Sequence, residues 1–255
     1  MKNKMNDKDY NWVPGIHAVR SALKHGQDRI KRIAIDSEKK DKRIFLLKKE
    51  ALRKGIEILE TNSNDLSNLS GGTNHQGILA LTTAPTSMGE KELDIILSEI
   101  SGSKFLLVLD GITDPQNLGA CLRVADGAGV NVVIAPKDNC VGLTPTVCKV
   151  ASGAVETIPY IQVTNLARTM RYLQDVHKVF FYGASERGEE DIYNTDLTGS
   201  LAIVMGGEGK GIRRLTLDNC DFTIKLPMFG ALDSLNVSVA TGICLYEAVR
   251  QRATH

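Results

Sequence analysis

The stretch FLLVLDGITDPQNLGACLRVADG, residues 105–127, contains the pattern that decides the fold. Its first five residues are all apolar, which predicts a strand at Phe105–Leu109 that is buried on both faces. Pro115 cannot continue a strand, and the apolar residues after it recur at helical spacing, which predicts a helix over Leu118–Ala128. A buried strand that leads into a helix is typical of an α/β domain with a parallel sheet.

The same alternation continues to the end of the chain. Further apolar runs predict strands at Val132–Ala135, Val179–Gly183, Leu201–Met205 and Phe222–Leu226. Helical spacing predicts helices at Leu166–Val176 and Val237–Arg252. We therefore expect residues 101–255 to form one α/β domain, with a parallel sheet covered by helices on both faces.

The first 81 residues predict a smaller, separate α/β domain. Its predicted elements are helices at Ile16–Lys24 and Lys39–Arg53 and strands at Ile30–Ile35, Ile56–Leu59 and Ile78–Leu81. The following TTAPTSMGEKE has no period and contains Pro and Gly, so we predict a linker over residues 82–100. A chain of 255 residues accommodates two domains. Its composition, with 42% hydrophobic and 24% charged residues, excludes collagen, coiled coil and disorder.

Charge is distributed unevenly between the two predicted domains. Residues 1–81 contain 16 basic and 10 acidic side chains, a net charge of +6, whereas residues 82–255 contain 15 and 20, a net charge of −5. A basic segment of this kind favours a nucleic acid as partner. Basic side chains bind phosphates without reading the base sequence. The candidates for this role are Arg20, Lys24, Arg29, Lys31 and Arg32.

The sequence lacks the residue patterns that several kinds of site require. The five cysteines form no C-x-x-C and the five histidines have no ligand spacing, so we expect neither a disulfide framework nor a metal site. No G-x-S-x-G motif supports covalent hydrolysis. The charged start MKNKMNDKDYNW does not resemble a secretory signal, and no run approaches the about 18 apolar residues of a membrane span. We therefore expect a cytoplasmic protein with no membrane partner.

Loops that follow parallel strands are the candidate site, because such sheets bind ligands at the carboxyl ends of their strands. In the first of these loops, Asn117 suits a helix N-cap and Arg123 follows six residues later. Six helical residues turn through about 600°, so the two side chains share a crevice only if the cap bends inward. A capping Asn and a surface Arg are the alternative at this point.

The loop after the strand at Leu201–Met205 is rich in glycine. It reads MGGEGKGIRR, residues 205–214, and its four glycines in six residues permit a close backbone approach to a ligand. It fits neither the dinucleotide fingerprint nor a Walker A loop, since Gly211 stands where Ser or Thr would follow Lys210. The loop therefore presents a single carboxylate, Glu208, on a flexible backbone.

The loop after the last predicted strand carries more small polar residues than a helix cap can use. It reads LPMFGALDSLNVSVATG, residues 226–242, and contains Ser234, Asn236 and Ser238 before or at the start of the closing helix. One Ser or Asn suffices as an N-cap. The surplus of hydroxyl and amide groups indicates a site.

Three stretches in this order resemble the three motifs of the SpoU/TrmH (SPOUT) family of S-adenosylmethionine-dependent RNA 2′-O-methyltransferases. They are DPQNLGACLRVADGAGV, IVMGGEGKGIRRL and LPMFGALDSLNVSVATGICLYEAVRQR. GIHAVRSAL, HQGILAL and VTNLARTMR resemble the branch that methylates a guanosine ribose in the peptidyl-transferase loop of 23S rRNA. The resemblance covers almost the whole chain.

The resemblance implies a catalytic domain with a deep trefoil knot, preceded by a ribosomal-protein-like RNA-binding domain. It implies 23S rRNA as substrate and a homodimer in which the first-motif arginine of one protomer completes the site of the other. S-adenosylmethionine would contact mainly the backbone of Gly206, Leu226 and Leu235, without a metal. The residues at the family's polar positions, and hence the catalytic candidates, are Asn117, Arg123, Glu208, Ser234 and Asn236, with Ser238 beside them.

Two points stay open within this resemblance. Ala231, Leu232 and Asp233 replace small or hydroxylic residues, and the Asp233 carboxylate would either favour the donor sulfonium or repel RNA phosphate. Arg123 would either accept the hydroxyl proton or hold phosphate and stabilise the developing alkoxide, and a guanidinium is a poor proton acceptor. The alternative functions are a ribose methyltransferase for tRNA or another rRNA site, and a non-catalytic RNA-binding factor of ribosome assembly.

Overall fold

The computed structural model of the protein describes residues 10–83 and 85–253. Residues 1–9 of the predicted N-terminal domain, Ala84 of the predicted linker and the last two residues of the predicted catalytic domain lie outside the described residues. The chain divides into two compact units. The first comprises the described residues up to Thr86 together with Leu143–Thr157, and the second comprises Ser87–Gly142 and the described residues from Ile158 onward.

The first unit is a small α/β fold around a four-stranded sheet. Its elements are β1 (Tyr10–Pro14), α1 (Ile16–His25), β2 (Ile30–Asp36), α2 (Lys42–Arg53), β3 (Glu57–Thr61), α3 (Ser63–Leu69), β4 (Ile78–Thr83) and, from the later stretch, α6 (Pro145–Ala151). The strand order is β1-β4-β2-β3, with β2 and β3 parallel and the other neighbours antiparallel. Val19 and Leu47 of the helices pack with Ile33 and Ile78 of the sheet in one buried cluster.

Helix α2 shows how local sequence determines an amphipathic element here. The Asp41 side chain accepts a hydrogen bond from the backbone N–H of Arg43 at 2.8 Å and so caps the helix. Ile44, Leu47 and Ala51 recur at helical spacing and are all buried. The opposite face of α2 is therefore turned away from the core of the first unit.

The second unit is built on a seven-stranded sheet. Its elements are α4 (Glu90–Glu99), β5 (Phe105–Asp110), α5 (Pro115–Gly127), β6 (Val132–Pro136), β7 (Tyr160–Val163), α7 (Leu166–His177), β8 (Phe180–Ala184), β9 (Glu190–Asp191), β10 (Leu201–Gly206), α8 (Arg214–Leu217), β11 (Phe222–Lys225) and α9 (Val237–Arg252). The strand order is β7-β6-β5-β10-β8-β11-β9, and every neighbouring pair is parallel. All six residues of β5 are buried, as expected for a strand with helices on both faces.

The predicted fold class, a parallel-sheet α/β domain preceded by a smaller α/β domain, is confirmed. The elements that the sequence did not predict are β1, β7, β9, α3, α4, α6 and α8. They are short or polar, so a hydrophobic period has few residues in which to show itself. The trefoil knot stays a prediction.

The domain boundaries in the structure differ from those we expected. Residues 82–100 are not a plain linker, because β4 extends to Thr83 and α4 buries Leu93 and Leu97 in the core of the second unit. Leu143–Thr157 groups with the first unit although we placed it in the catalytic domain. Within that unit Ser21 donates a hydrogen bond to the carbonyl of Gly153 at 2.9 Å. Contacts of this kind join residues far apart in the chain, and no local pattern reveals them.

Candidate active site

The loops after β5 and β10 lie side by side at the carboxyl edge of the large sheet. The two strands are parallel neighbours, and their last residues, Asp110 and Gly206, are paired in register. Helix α5 follows β5 and packs against α9, where the Cys121 Sγ lies 3.5 Å from the Thr241 Oγ1. This packing sets the start of α9 beside the start of α5. The three loops that the sequence singles out thus converge at one place.

Three of the predicted catalytic residues form a hydrogen-bonded group, which we call the amide–carboxylate cluster: Asn117, Glu208 and Asn236. The Asn117 Nδ2 donates to the Glu208 Oε1 at 2.6 Å. The Asn236 Nδ2 lies 3.0 Å from both the Asn117 Oδ1 and the Glu208 Oε1. Glu208 is 91 positions and Asn236 is 119 positions from Asn117 in the chain, so the fold alone brings the three residues together.

Asn117 is not the N-cap of its helix, contrary to our expectation. Asp114 occupies that position, and its side chain accepts a hydrogen bond from the backbone N–H of Gln116 at 3.0 Å. Pro115 is the first helical residue, where its missing N–H has no cost. Asn117 therefore lies in the first turn, nearly buried, with its amide free to bind Glu208.

Asn236 has two functions in the third loop. It is the N-cap of α9, where its Oδ1 accepts hydrogen bonds from the backbone N–H and the hydroxyl of Ser238 at 2.9 and 2.6 Å. Its Nδ2 belongs to the amide–carboxylate cluster. Ser238 thus orients Asn236, while Ser234 lies elsewhere in the site, in the wall of a cavity.

Arg123 does not join the cluster. Its side chain is exposed on α5, and it is absent from the lining of the cavity. Because Asn117 and Arg123 are both inside the helix, the rotation of about 600° between them directs Arg123 away from Glu208. In this chain, the structure separates the predicted arginine from the amide–carboxylate cluster and from the cavity.

The glycines of the second loop permit close backbone packing. A Cβ on Gly206 would lie 2.0 Å from the carbonyl carbon of Gly211, and one on Gly207 would lie 2.3 Å from the carbonyl oxygen of Gly111. The Gly207 N–H donates to the carbonyl of Asp110 at 2.9 Å. A side chain at Gly207 would push the loop away from Gly111, the residue after β5, and one at Gly206 would clash with the far end of the same loop. The two glycines therefore keep the loop folded close to β5, with Glu208 near Asn117.

A charged pair that was not predicted, Asp110 and Arg213, holds the far end of this loop in place. The Asp110 carboxylate is completely buried and accepts hydrogen bonds from the Arg213 backbone N–H at 3.0 Å and from its Nε at 2.7 Å. This bonding raises the pKa of Arg213. An Asp at the end of the otherwise apolar strand FLLVLD was the available signal, since buried carboxylates need partners.

A cavity of about 380 Å³ borders Glu208 at the carboxyl ends of β8, β10 and β11. Its volume falls within the range of small-molecule sites. The three residues predicted to contact the donor, Gly206, Leu226 and Leu235, all line it. Asp233 lines it as well, and so does the unpredicted loop Ser185–Arg187 after β8. The walls combine backbone, apolar side chains and a few charged groups.

The five predicted RNA-binding residues have different surroundings in the first unit. Arg20 and Lys24 are exposed one helical turn apart on α1, and Lys31 lies 5.0 Å from the ring centre of Tyr10. Arg32 pairs with Glu57 at 3.4 Å.

Arg29 is the exception among these five. It pairs with Glu156 and donates to the carbonyl of Thr83 at 3.2 Å. Burial lowers the pKa of Arg29. It therefore stabilises the first unit from within and is less available to phosphate than Arg20 or Lys24.

Other chemistries find little support in the described residues. Burial raises the pKa of the Cys121 and Cys148 thiols to about 11 and that of Cys220 and Cys244 to about 12, so none of these is an activated nucleophile at neutral pH. Residues 10–83 and 85–253 contain no group of three His, Cys, Asp or Glu side chains that could hold a metal ion. In the same part of the chain, no helix has both the length and the apolar content of a membrane span.

Comparison with known proteins agrees with this geometry. Residues 104–246 match the model of the SpoU rRNA Methylase family, and residues 12–88 match that of the RNA 2′-O ribose methyltransferase substrate binding family. The chain is 51% identical over 245 residues to the 23S rRNA (guanosine-2′-O-)-methyltransferase RlmB of Shewanella oneidensis, covering 96% of this chain and 99% of the relative.

Solved structures show the same fold. An RNA 2′-O ribose methyltransferase is 26% identical with a TM-score of 0.78, over 96% of this chain and 90% of the other. The SpoU methyltransferase AviRb from Streptomyces viridochromogenes, in complex with AdoMet, is 24% identical with a TM-score of 0.78, over 100% and 95% of the two chains. From the family match over most of the second unit and the likeness of nearly the full chain to RlmB, the protein belongs to the SpoU rRNA methylase family.

Proposed function

We propose that this protein transfers a methyl group from S-adenosylmethionine to the 2′-hydroxyl of a guanosine ribose in the peptidyl-transferase loop of 23S rRNA. The observation that carries the proposal is the amide–carboxylate cluster at the border of the 380 Å³ cavity. The 51% identity to a 23S rRNA guanosine-2′-O-methyltransferase supports the substrate class.

The cavity fits a sulfonium nucleoside. Gly206 leaves no room for a Cβ, so the backbone itself forms one wall, and Met205, Ile212 and Val237 supply apolar surface. Three carboxylates, Glu186, Glu208 and Asp233, and two cations, Arg187 and Lys210, line the same space. This balance of charge is compatible with a ligand that carries one sulfonium cation.

The chain must align the reactants. As the bond from the methyl group to the 2′-oxygen forms, the bond to sulfur breaks to leave a neutral thioether, and the hydroxyl proton leaves to a base or to solvent. When bound, S-adenosylmethionine supplies a methyl group that is already activated by the positive sulfur, so positioning is the main requirement. Asn117 and Asn236 hold the Glu208 carboxylate at the cavity border. We assign to Glu208 and Ser234 the orientation of the ribose, because both line the cavity.

Arg123 acts, in this proposal, on a neighbouring protomer of a homodimer. Its exposure and its absence from the lining of its own cavity support this assignment. Val239 and Tyr246 of α9 are each 51% exposed and offer apolar surface for the contact. At the partner's site the guanidinium would stabilise the developing alkoxide or hold phosphate, and both roles require a fixed positive charge.

The first unit supplies RNA affinity in this proposal. Arg20 and Lys24 present two exposed cations on one face of α1, which suits contact with phosphates. Selection of the 2′-hydroxyl also explains why RNA and not DNA would be the substrate. A ribosomal RNA substrate supports a cytoplasmic location for the proposed reaction.

Methyl incorporation from labelled donor into separate pools of 23S rRNA, 16S rRNA and tRNA tests the proposal. We expect label in 23S rRNA, at a guanosine ribose that lacks methylation in cells without the protein. Incorporation into tRNA or another rRNA alone would move the activity to a different substrate. Donor binding measured by calorimetry separates both outcomes from a non-catalytic assembly factor, which would bind RNA and no donor.

A further inference from the structure

The outer face of helix α2 carries a surface that the proposed activity does not use. It consists of Lys42, Phe45, Leu46, Lys49 and Arg53, opposite the buried face of the helix. Phe45 is 65% exposed and Leu46 is 56% exposed, because both lie on the face of α2 that is turned away from the core of the first unit. An exposed Phe on a helix of a small domain loses free energy unless something covers it.

The side chains of the outer face alternate between apolar and cationic types. At about 100° per residue, Lys42, Lys49 and Arg53 project between Phe45 on one side and Leu46 on the other. Leu52, which is 56% exposed, lies on the same side as Phe45, so apolar side chains flank the cationic stripe and do not occupy its centre. A helix that docks in a protein groove has the opposite pattern, with its apolar anchors together along the centre of the docking face.

The charges of the outer face are not neutralised by the carboxylates nearby. Asp41 pairs with Arg43 at 2.7 Å, and Glu50 pairs with Lys54 at 3.4 Å. Within residues 10–83 and 85–253, Lys42, Lys49 and Arg53 form no ion pair. Helix α2 as a whole contains five basic residues and one acidic residue, a net charge of +4. The surface is thus complementary to a polyanion.

We infer that the outer face of α2 binds a single-stranded segment of RNA, with one base stacked on Phe45 and phosphates near Lys42, Lys49 and Arg53. The combination of an exposed aromatic ring with interleaved cations is the arrangement by which proteins hold unpaired nucleotides. A paired helix keeps its bases stacked on each other, so only a single strand presents a free base face to the ring. This inference rests on the proposed function, because it adds a second RNA contact to that of α1.

Fluorescence anisotropy with the full chain and a labelled single-stranded RNA of about 16 nucleotides tests the inference. We expect Phe45→Ala to weaken binding by about tenfold and Phe45→Trp to preserve it, since stacking on one ring contributes about 5- to 150-fold. Phe45→Leu should weaken binding as Phe45→Ala does. Retained affinity in Phe45→Leu would overturn the inference, because an apolar docking surface needs no ring.

A second variant measures the phosphate contact and does not depend on the aromatic ring. Lys49→Gln should reduce the slope of log Kd against log salt by about 0.7, the value for one phosphate contact to a single strand. Lys91→Gln, an exposed lysine of α4 in the second unit, is the matched control and should leave the slope unchanged. Equal slopes for the Lys49 variant and the wild type would contradict the contact.

Two further readouts separate this inference from its competitors. A fully paired duplex of the same sequence should bind wild type and Phe45→Ala equally. A change of oligomeric state in Phe45→Ala by sedimentation would assign the face to a second copy of the chain and overturn the inference. If the wild type methylates 23S rRNA and the Phe45 variants bind RNA normally, this inference is refuted and the proposed function is intact. If the Phe45 variants lose RNA affinity and the wild type does not methylate 23S rRNA, the proposed function alone is refuted.

Discussion

Replacing Asn117 with Asp perturbs the amide–carboxylate cluster without changing the size of the side chain. The Asn117 amide donates to the Glu208 Oε1 at 2.6 Å, whereas a carboxylate at that position can only accept. The hydrogen bond from Asn236 to the Oδ1 at 3.0 Å can persist. The substitution therefore removes one donor and adds one negative charge next to another.

The size of the effect follows from these distances. Two unit charges at about 4 Å repel by about 1 kcal/mol in water and about 4 kcal/mol at an effective dielectric constant near 20. The lost hydrogen bond to a charged group contributes about 1.5–3 kcal/mol. Asn117 is 8% exposed while Glu208 is exposed, so an intermediate total of about 3 kcal/mol applies. If the cluster orients the substrate, kcat/KM falls by roughly 100-fold.

The assay is methyl incorporation into 23S rRNA as a function of pH, with donor affinity measured in parallel. Because adjacent carboxylates favour binding a shared proton, the defect of Asn117→Asp should shrink as the pH falls from about 8 to about 5. The double variant Asn117→Asp/Glu208→Gln has one carboxylate and two amides again. It should recover the free energy of unfolding that Asn117→Asp loses, while its activity stays low because the Glu208 carboxylate is absent. Normal kcat/KM in Asn117→Asp, or no recovery of the free energy of unfolding in the double variant, would refute the reasoning.

Three other predictions concern other side chains of the second unit. Arg123→Ala should lower the rate of methyl transfer by at least about 100-fold, while the donor affinity measured by calorimetry stays within about twofold of the wild type. A near-normal rate would show that Arg123 is not a catalytic residue. Arg213→Ala should lower the free energy of unfolding by about 2 kcal/mol, less than for a fully buried pair because the arginine is half exposed. The Arg214 side chain is 95% exposed, so Arg214→Ala should change the free energy of unfolding by less than about 0.5 kcal/mol. Equal losses for the Arg213 and Arg214 variants in urea titrations would contradict the assignment. The hydrogen bond from the Tyr172 hydroxyl lowers the pKa of Asp94, with a smaller contribution from His177. The loss of unfolding free energy in Tyr172→Phe should therefore be complete above about pH 5 and shrink below about pH 4. A loss that does not change with pH would argue against this assignment.

Several elements could be predicted because their information is local. The apolar run of β5 and the helical spacing of α9 each appear within one window of the sequence, and α9 begins and ends at the predicted residues Val237 and Arg252. A short strand such as β7, with Gln162 among four residues, leaves too few positions for a period to be visible. The same limit applies to α4, which begins in a stretch with Pro and Gly nearby.

The candidate site could be predicted in its residue types but not in its connections. Asn117 looked like a helix cap because Asn suits that position, but Asp114 competes for it and lies at the point where the helix begins. The Asp110–Arg213 pair was not predicted, since its members are 103 residues apart and neither belongs to a spacing pattern. Arg123 was placed correctly on a helix, while its direction depends on where that helix starts.

By itself, the sequence determined where most of the buried strands lie, where the glycine loop lies, and which polar residues stand at the carboxyl ends of strands, because these properties depend on residues close together in the chain. Only the tertiary structure decided that β5 and β10 are neighbours and that α5 packs on α9, and these two contacts join Asn117, Glu208 and Asn236. The physical reason is that strand order and helix packing are set by the burial of the whole apolar surface, a sum over the molecule that no single window contains.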